Sequence, residues 1–241
     1  MNTDRFRQET APYFRNPGMG GPGMVDPQMD GQYRDPRLMS RLEGPVGMEP
    51  EDTGLPMQSA YYAGIYGPEE DGGFSIPAIP YQQIDPQFYR QQVSDPFGER
   101  PGTIIVDTAD RFLYLIQADG SAMRYGVGIG REGFAWSGRG VIQWKQEWPR
   151  WKPPNEMVAR QPQLAEYSIA NGGMAPGLKN PLGARAMYIF KDGQDTLYRL
   201  HGTPEWQSIG KATSSGCVRL INQDVMDLYR RVRVKAPILV V

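Results

Sequence analysis

The sequence predicts a mainly β domain with one or two short helices, preceded by a largely disordered N-terminal tail. Three observations carry this reading. From Pro101 onward, short β-branched and aromatic runs alternate with Asp-Gly and Gly-containing turns, the pattern of strands joined by tight connections. A single clear helical period stands near the C-terminus, in "QDVMDLYRRV". The first hundred residues hold 13 of the 22 prolines and sustain neither a 3.6- nor a 2-residue apolar period.

Residues 1–75 read as the tail. Stretches such as "RNPGMGGPGMVDPQMDGQ" bury too little apolar surface to offset the entropy of ordering the chain. The plain reading of this segment is a linker or spacer; its scattered methionines also suit a partner-binding surface, so a protein partner or acceptor is the alternative. Residues 76–98, "IPAIPYQQIDPQFYRQQVSDPFG", are richer in large apolar side chains and are expected as an extended strap or linker, with Ile84, Phe88, Tyr89 and Val93 available for burial. Charge divides at the same place. Residues 1–100 carry 15 acidic side chains against 8 arginines, a net of about −7, and residues 101–241 carry 18 basic against 12 acidic, a net of about +6. The formal total of −1 hides two opposite halves.

Residues 99–241 form the expected folded domain. "GTIIVDT", "RFLYLIQ" and "SAMRYGVGIG" are three strands of an antiparallel meander, the last two joined by the Asp-Gly of "ADGS". The tryptophan-rich run that follows is less regular, with a strand expected around Val141 to Lys145; "WKQEWPRWK" has the aromatic and basic composition to stack on sugar or nucleic-acid bases but is expected rather as a partly buried loop lining a cleft. "ARAMYIF" and "DTLYRLHG" are two further strands joined across "KDGQ". Asn222 is expected to cap a helix whose Val225, Leu228, Tyr229 and Val232 fall at helical spacing, with Asp224 in the first turn where the helix dipole favours a carboxylate. "APILVV" closes the chain as a strand.

The chemistry concentrates in "HGTPEWQSIGKATSSGCVRL", which contains the only histidine and the only cysteine of the chain, His201 and Cys217. A thiol is a weak nucleophile at its ordinary pKa, and a nearby imidazole raises its reactive fraction. The small residues Ser214, Ser215 and Gly216 ahead of Cys217 leave the backbone amides of Ser215, Gly216 and Cys217 accessible to a developing oxyanion. A strand end, a loop end and free amides suit acyl transfer; residue identity alone favours a buried structural cysteine beside an ordinary loop histidine. One His and one Cys cannot furnish a typical zinc site, so no metal or other cofactor is expected. "GVGIGREG" lacks the following helix of a dinucleotide loop. The short basic "YRRVRVK" suits a solvated helix end rather than a phosphate site, and with "WKQEWPRWK" read as a loop no nucleic-acid partner is expected. The single cysteine excludes an internal disulfide, and no apolar run approaches the ~18 residues of a membrane span.

Taken together, "HGTPEWQSIGKATSSGCVRLIN", "PGTIIVDTADRFLYLIQ", "YGVGIGREGFAWSG" and "NPLGARAMYIF" resemble the catalytic domain of the L,D-transpeptidase family, the YkuD-like fold, over about residues 99 to 241. The family pattern is a histidine, some 14 to 17 residues, then Ser/Thr-His-Gly-Cys, an apolar residue and Arg or Asn. Ser215 stands where that pattern has its second histidine, while the histidine that carries the base is present as His201. The resemblance implies a β-sandwich or barrel in which Cys217 is the nucleophile, His201 the general base and the Gly202 carbonyl the group that orients the imidazole. It implies that Arg219 shapes the acyl-donor pocket; Ser214, and Trp144 and Trp151 of the aromatic run, are further candidates for substrate contact. The implied reaction is attack on a peptidoglycan tetrapeptide stem at the L-centre of diaminopimelate, release of D-alanine, and resolution of the thioester by an amine, which serves cell-wall biogenesis and cell shape. The implied place of work is the periplasm, with a leader absent from this sequence. Two other classes compete: a non-catalytic peptidoglycan-binding module, and a Cys-His peptidase of another fold. The papain order, cysteine before histidine, is the reverse of that seen here.

Overall fold

The structure, a computed structural model, describes residues 57–130, 137–214 and 216–241. The described chain opens with α1 (Met57–Ile65), the hairpin β1 (Glu69–Asp71) and β2 (Phe74–Ile76), two single 3₁₀ turns, and β3 (Gln91–Ser94). The disorder expected over residues 1–75 therefore does not extend to 57–75; residues 1–56 lie outside the described residues. The physical reason is a tyrosine cluster. Tyr62, Tyr66, Tyr81 and Tyr89 lie with ring centroids 4.6 to 6.3 Å apart, and the cluster closes over Ile209 and Ile221 from much later in the chain. Aromatic pairs at such separations add to their area burial. No local period announces them, because the rings come from separate short pieces.

The expected meander follows as β4 (Ile104–Asp107), β5 (Phe112–Ile116) and β6 (Ser121–Gly126), all antiparallel, and β3 adds to the outer side of β6. After β7 (Ile129–Gly130) comes β8 (Gly138–Glu147), longer than the strand expected because β13 and β9 pair along its two edges. Trp144 is thus a strand residue and the loop begins only at Trp148. That excursion holds α2 (Asn155–Arg160) and returns through β9 (Arg185–Lys191) to β10 (Gln194–Thr203). Asp192 and Gly193 turn between β9 and β10 with φ of 50° and 78°, the left-handed pair that a tight hairpin requires. The chain ends through β11 (Ala212–Ser214), β12 (Val218–Ile221), α3 (Asn222–Arg231) and β13 (Pro237–Val240).

Nine strands form one sheet in the order β12-β10-β9-β8-β13-β4-β5-β6-β3, parallel only at β12/β10 and β13/β4. Beyond β6, Gly128 exchanges both backbone hydrogen bonds with Arg219 on β12, at 2.9 and 2.8 Å, so the sheet curls back on its own far end. Inside the curl, Val225 and Leu228 of α3 and the following Val232 pack with Leu113, Tyr125, Ile142, Met187, Leu200 and Leu220. This is a mainly β fold with few short helices, as expected. Asn222 does not cap α3, however. Ile221 occupies the N-cap position, and the Asn222 side-chain oxygen accepts the Ala184 N–H at 2.9 Å, tying the helix start to the entrance of β9.

The segment before Glu99 is latched to α3 by buried polar groups. Arg90 lies 3.2 Å from Asp227 and 3.7 Å from Asp224, and Tyr66 donates to Asp224 at 3.4 Å while accepting the Arg90 N–H at 2.7 Å. Gln223 donates to the carbonyls of Gly67 and Pro77 at 3.0 and 3.1 Å. Burial pushes Asp224 up to about 7, against the pull of Arg90. Burial acts on Asp227 in the same sense, but hydrogen bonds from Arg231 and Tyr125 and the charge of Arg90 outweigh it and hold that carboxylate below its usual range.

Candidate active site

The site is built on the parallel pair β10 and β12, whose ladder matches Leu200 with Val218, His201 with Arg219 and Gly202 with Leu220. Leu200, Val218 and Leu220 belong to the core. The two-residue alternation of a strand then puts Arg199, His201, Cys217 and Arg219 together on the opposite face.

His201 is buried, and its Nδ1–H donates to the Gly202 carbonyl at 2.6 Å, which leaves Nε2 as the basic nitrogen. Glycine is required at 202 because a Cβ there would overlap the Asn222 side-chain oxygen, the same oxygen that holds Ala184. Burial lowers the imidazole to about 4; the Gly202 and Pro181 carbonyls act against that fall, and the charges of Arg219 and Arg199 add to it. The ring is therefore neutral at physiological pH, the form in which it accepts a proton.

Cys217 is half-buried and follows Gly216, whose φ of 129° lies in the region that favours glycine. Its thiol contacts the Leu197 carbonyl, with the sulfur 4.0 Å from that oxygen. Burial raises the thiol above its ordinary range, while the backbone N–H of Arg199 and the charges of Arg199 and Arg219 oppose the rise.

Arg219, expected in the pocket, stands beside His201 and pairs with Glu205 at 2.9 Å. Trp144 also lies on this face, through residues the sequence reading did not name. The Arg199 guanidinium sits 4.4 Å from the Tyr188 ring centroid, and Tyr188 stacks on Trp144 at 4.2 Å with 25° between the planes. A row thus runs from Cys217, just ahead of β12, through Arg199 on β10 and Tyr188 on β9 to Trp144 on β8, a residue that is 47% exposed. Trp151 is not joined to this row by the described contacts; its backbone pairs with Met174 inside the excursion. Ser214 pairs through its backbone with Gly130 on β7, and Ser215 lies outside the described residues. Arg199 and Tyr188 had a legible signal: Arg199 is two residues from His201 in one strand, and so shares its face. Among the described residues, no three His, Cys, Asp or Glu side chains gather as a metal site, and no helix is long and apolar enough to cross a membrane.

The family model of the L,D-transpeptidase catalytic domain, YkuD, matches residues 101–240. The "Probable L,D-transpeptidase ErfK/SrfK" of Escherichia coli K12 is 34% identical over 151 residues, covering 60% of this chain and 45% of that protein. This chain thus spans about half the length of that curated relative. Among solved structures, "a Probable carnitine operon oxidoreductase caia from Brucella melitensis" is 46% identical with a TM-score of 0.45, covering 64% of this chain and 94% of that one. An "L,D-transpeptidase from Mycobacterium smegmatis" is 17% identical with a TM-score of 0.43, covering 58% of each chain. On the family match, which takes in more than half of the sequence and both His201 and Cys217, the chain belongs to the L,D-transpeptidase (YkuD) catalytic domain family.

Proposed function

We propose that this protein is a peptidoglycan L,D-transpeptidase working through a cysteine thioester in the periplasm. The observation that carries the proposal is the His201 geometry: Nδ1–H is committed to the Gly202 carbonyl, and the ring stands on the strand beside Cys217 within the matched family region. Cys217 attacks the carbonyl of the diaminopimelate L-centre in a tetrapeptide stem. As the carbonyl enters, the sulfur turns from Leu197 toward Nε2, the thiol proton passes to His201, and the backbone amides of Gly216 and Cys217 take up the oxyanion. His201 returns the proton to the departing nitrogen, D-alanine leaves, and the thioester remains. An amine from a second stem then attacks the thioester, its proton passes through His201 to the sulfur, and the free thiol is restored. The net charge of about +6 over residues 101–241 suits a carboxylate-rich stem.

Incubation with purified tetrapeptide muropeptides, read by mass, tests the reading. The expected result is loss of D-alanine with formation of a cross-linked or amine-exchanged product, and none of this with Cys217→Ala, which removes the covalent route while leaving a residue of similar size. A protein that binds muropeptides without turnover, and whose Cys217 is not acylated by a thiol-reactive β-lactam, is a binding module instead.

A further inference from the structure

The Arg199 side chain is held from three directions. Its two terminal nitrogens meet the two Asp195 carboxylate oxygens at 2.7 Å each, one of them also donates to the Tyr198 carbonyl at 2.8 Å, and its plane lies over the Tyr188 ring. A bidentate pair of this kind fixes direction as well as charge. The pair spans a β-bulge, since the β10/β9 register shifts between Asp195 and Arg199. At its centre Leu197 takes a φ of 64°, its N–H bonded to Asp195 at 2.8 Å and its side chain 75% exposed. The Leu197 carbonyl is the group that meets the Cys217 sulfur. One carboxylate therefore shapes the bulge that receives the sulfur and orients the cation beside it.

We propose that Arg199 is a positioning residue for the nucleophile: clamped by Asp195 and the Tyr188 ring, it keeps a fixed positive charge against Cys217 and thereby favours the ionised sulfur. The charged groups acting on the sulfur are Arg199 and Asp195 on β10 and Arg219 on β12, with Glu205 behind Arg219; His201 stands next to Arg219 in the β10/β12 ladder, and the Tyr198 ring lies beside Gly216. Asp195 acts against Arg199 by charge, so its contribution is geometric. Arg219 makes a single contact to the exposed Glu205, whereas Arg199 is held by both Asp195 oxygens and by the Tyr188 ring. This inference deepens the transpeptidase reading and rests on Cys217 being its nucleophile, but its test reads the sulfur alone.

The test is the pH profile of Cys217 alkylation by iodoacetamide, a neutral probe, in the full chain and in Arg199→Met, Arg199→Lys and Tyr188→Leu. Arg199→Met should move the midpoint to higher pH and slow alkylation at pH 7 by about tenfold. Arg199→Lys should recover part of the loss, since it restores charge without the fork. Tyr188→Leu, which changes no charge, should move the midpoint in the same direction by less. An unchanged midpoint in Arg199→Met, even with a lowered melting temperature, overturns the proposal, as does an equal displacement in Arg199→Met and Arg199→Lys. If Arg199→Met does not fold, Tyr188→Leu decides: a wild-type profile there overturns it. A displaced profile in a protein inactive on muropeptides would sink the transpeptidase reading and leave this one standing.

Discussion

At the scale of single residues, the site turns on an imidazole kept neutral by burial. His201 falls to about 4 in the folded chain against an ordinary value near 6.5, so between those limits the unfolded chain binds more protons than the folded one. Stability from this group is complete above about 6.5 and is lost as pH falls toward 4, by roughly 3 kcal/mol for a displacement of this size. On the proposed mechanism, the same group sets the acid side of activity. The apparent acid limb of kcat/KM for acylation should lie near 4 rather than near 6.5, because the free enzyme's base stays unprotonated down to that pH. His201→Ala should slow acylation by roughly a hundredfold or more, the usual scale of general-base loss. Stopped-flow acylation of wild type and variant between pH 3.5 and 8 checks both. A wild-type limb near 6.5 would show that burial does not depress the imidazole in this way, and a variant with wild-type rates would show that His201 is not the base. These two side chains were legible in the sequence because each is unique in the chain and they stand 16 residues apart.

At the scale of elements, legibility followed local periodicity and failed where partners are remote. The meander, the β9/β10 hairpin and α3 carry their own signals in alternation, Asp-Gly turns and helical spacing, and all are present. Asn222 carried a capping signal and does other work, because a cap side chain and a tether to Ala184 look alike in sequence. The latch between the N-terminal segment and α3 left no local signal, since Arg90 meets Asp224 and Asp227 more than a hundred residues later. Its energetics are nonetheless predictable. Removing one partner of a buried ion pair leaves an uncompensated charge at a cost of about 3 to 5 kcal/mol. Arg90→Met should therefore destabilise the fold by about that much near pH 8. Asp224 already sits near 7, well above its unfolded value, so protonating it is favoured by the folded state and its ionisation costs stability as pH rises. Without Arg90 that cost grows, and the deficit of Arg90→Met should be smaller at pH 5 than at pH 8. Urea melts at the two pH values check the sign; a larger deficit at pH 5 would contradict the assignment of the burden to Asp224.

At the scale of the whole molecule, the family match begins at residue 101 while the described fold begins at Met57. The earlier segment is part of the same packing. Ile209 belongs to the tyrosine cluster, Trp206 packs against it, and the Phe88 ring lies so close to Gly210 that a Cβ there would overlap it. Residues 206–210 lie in the connection between His201 and Cys217, so the strap supports the loop that joins these two residues. Asp71 adds a second anchor, accepting from Arg185 at the start of β9 at 2.7 and 2.8 Å and from the Trp148 indole at 2.7 Å. Tyr62, Tyr66, Ile76, Tyr81, Ile84, Tyr89 and Val93 are all buried in or beside these contacts. At about 1.5 to 3 kcal/mol for each large apolar side chain, their loss is comparable with the whole stability of a typical domain, about 5 to 15 kcal/mol. A chain beginning at Glu99, the boundary the sequence pattern suggests, should therefore fail to melt cooperatively and should lose the distinctive pH profile of Cys217 alkylation. A chain beginning at Met57 keeps every contact described above and should melt within a few degrees of the full protein with its alkylation profile unchanged. Calorimetry and alkylation on the two truncations decide the matter: if the chain from Glu99 melts like the full protein, the strap is an ornament on a self-sufficient domain, and if its thiol also titrates as before, the strap does not support the loop between His201 and Cys217.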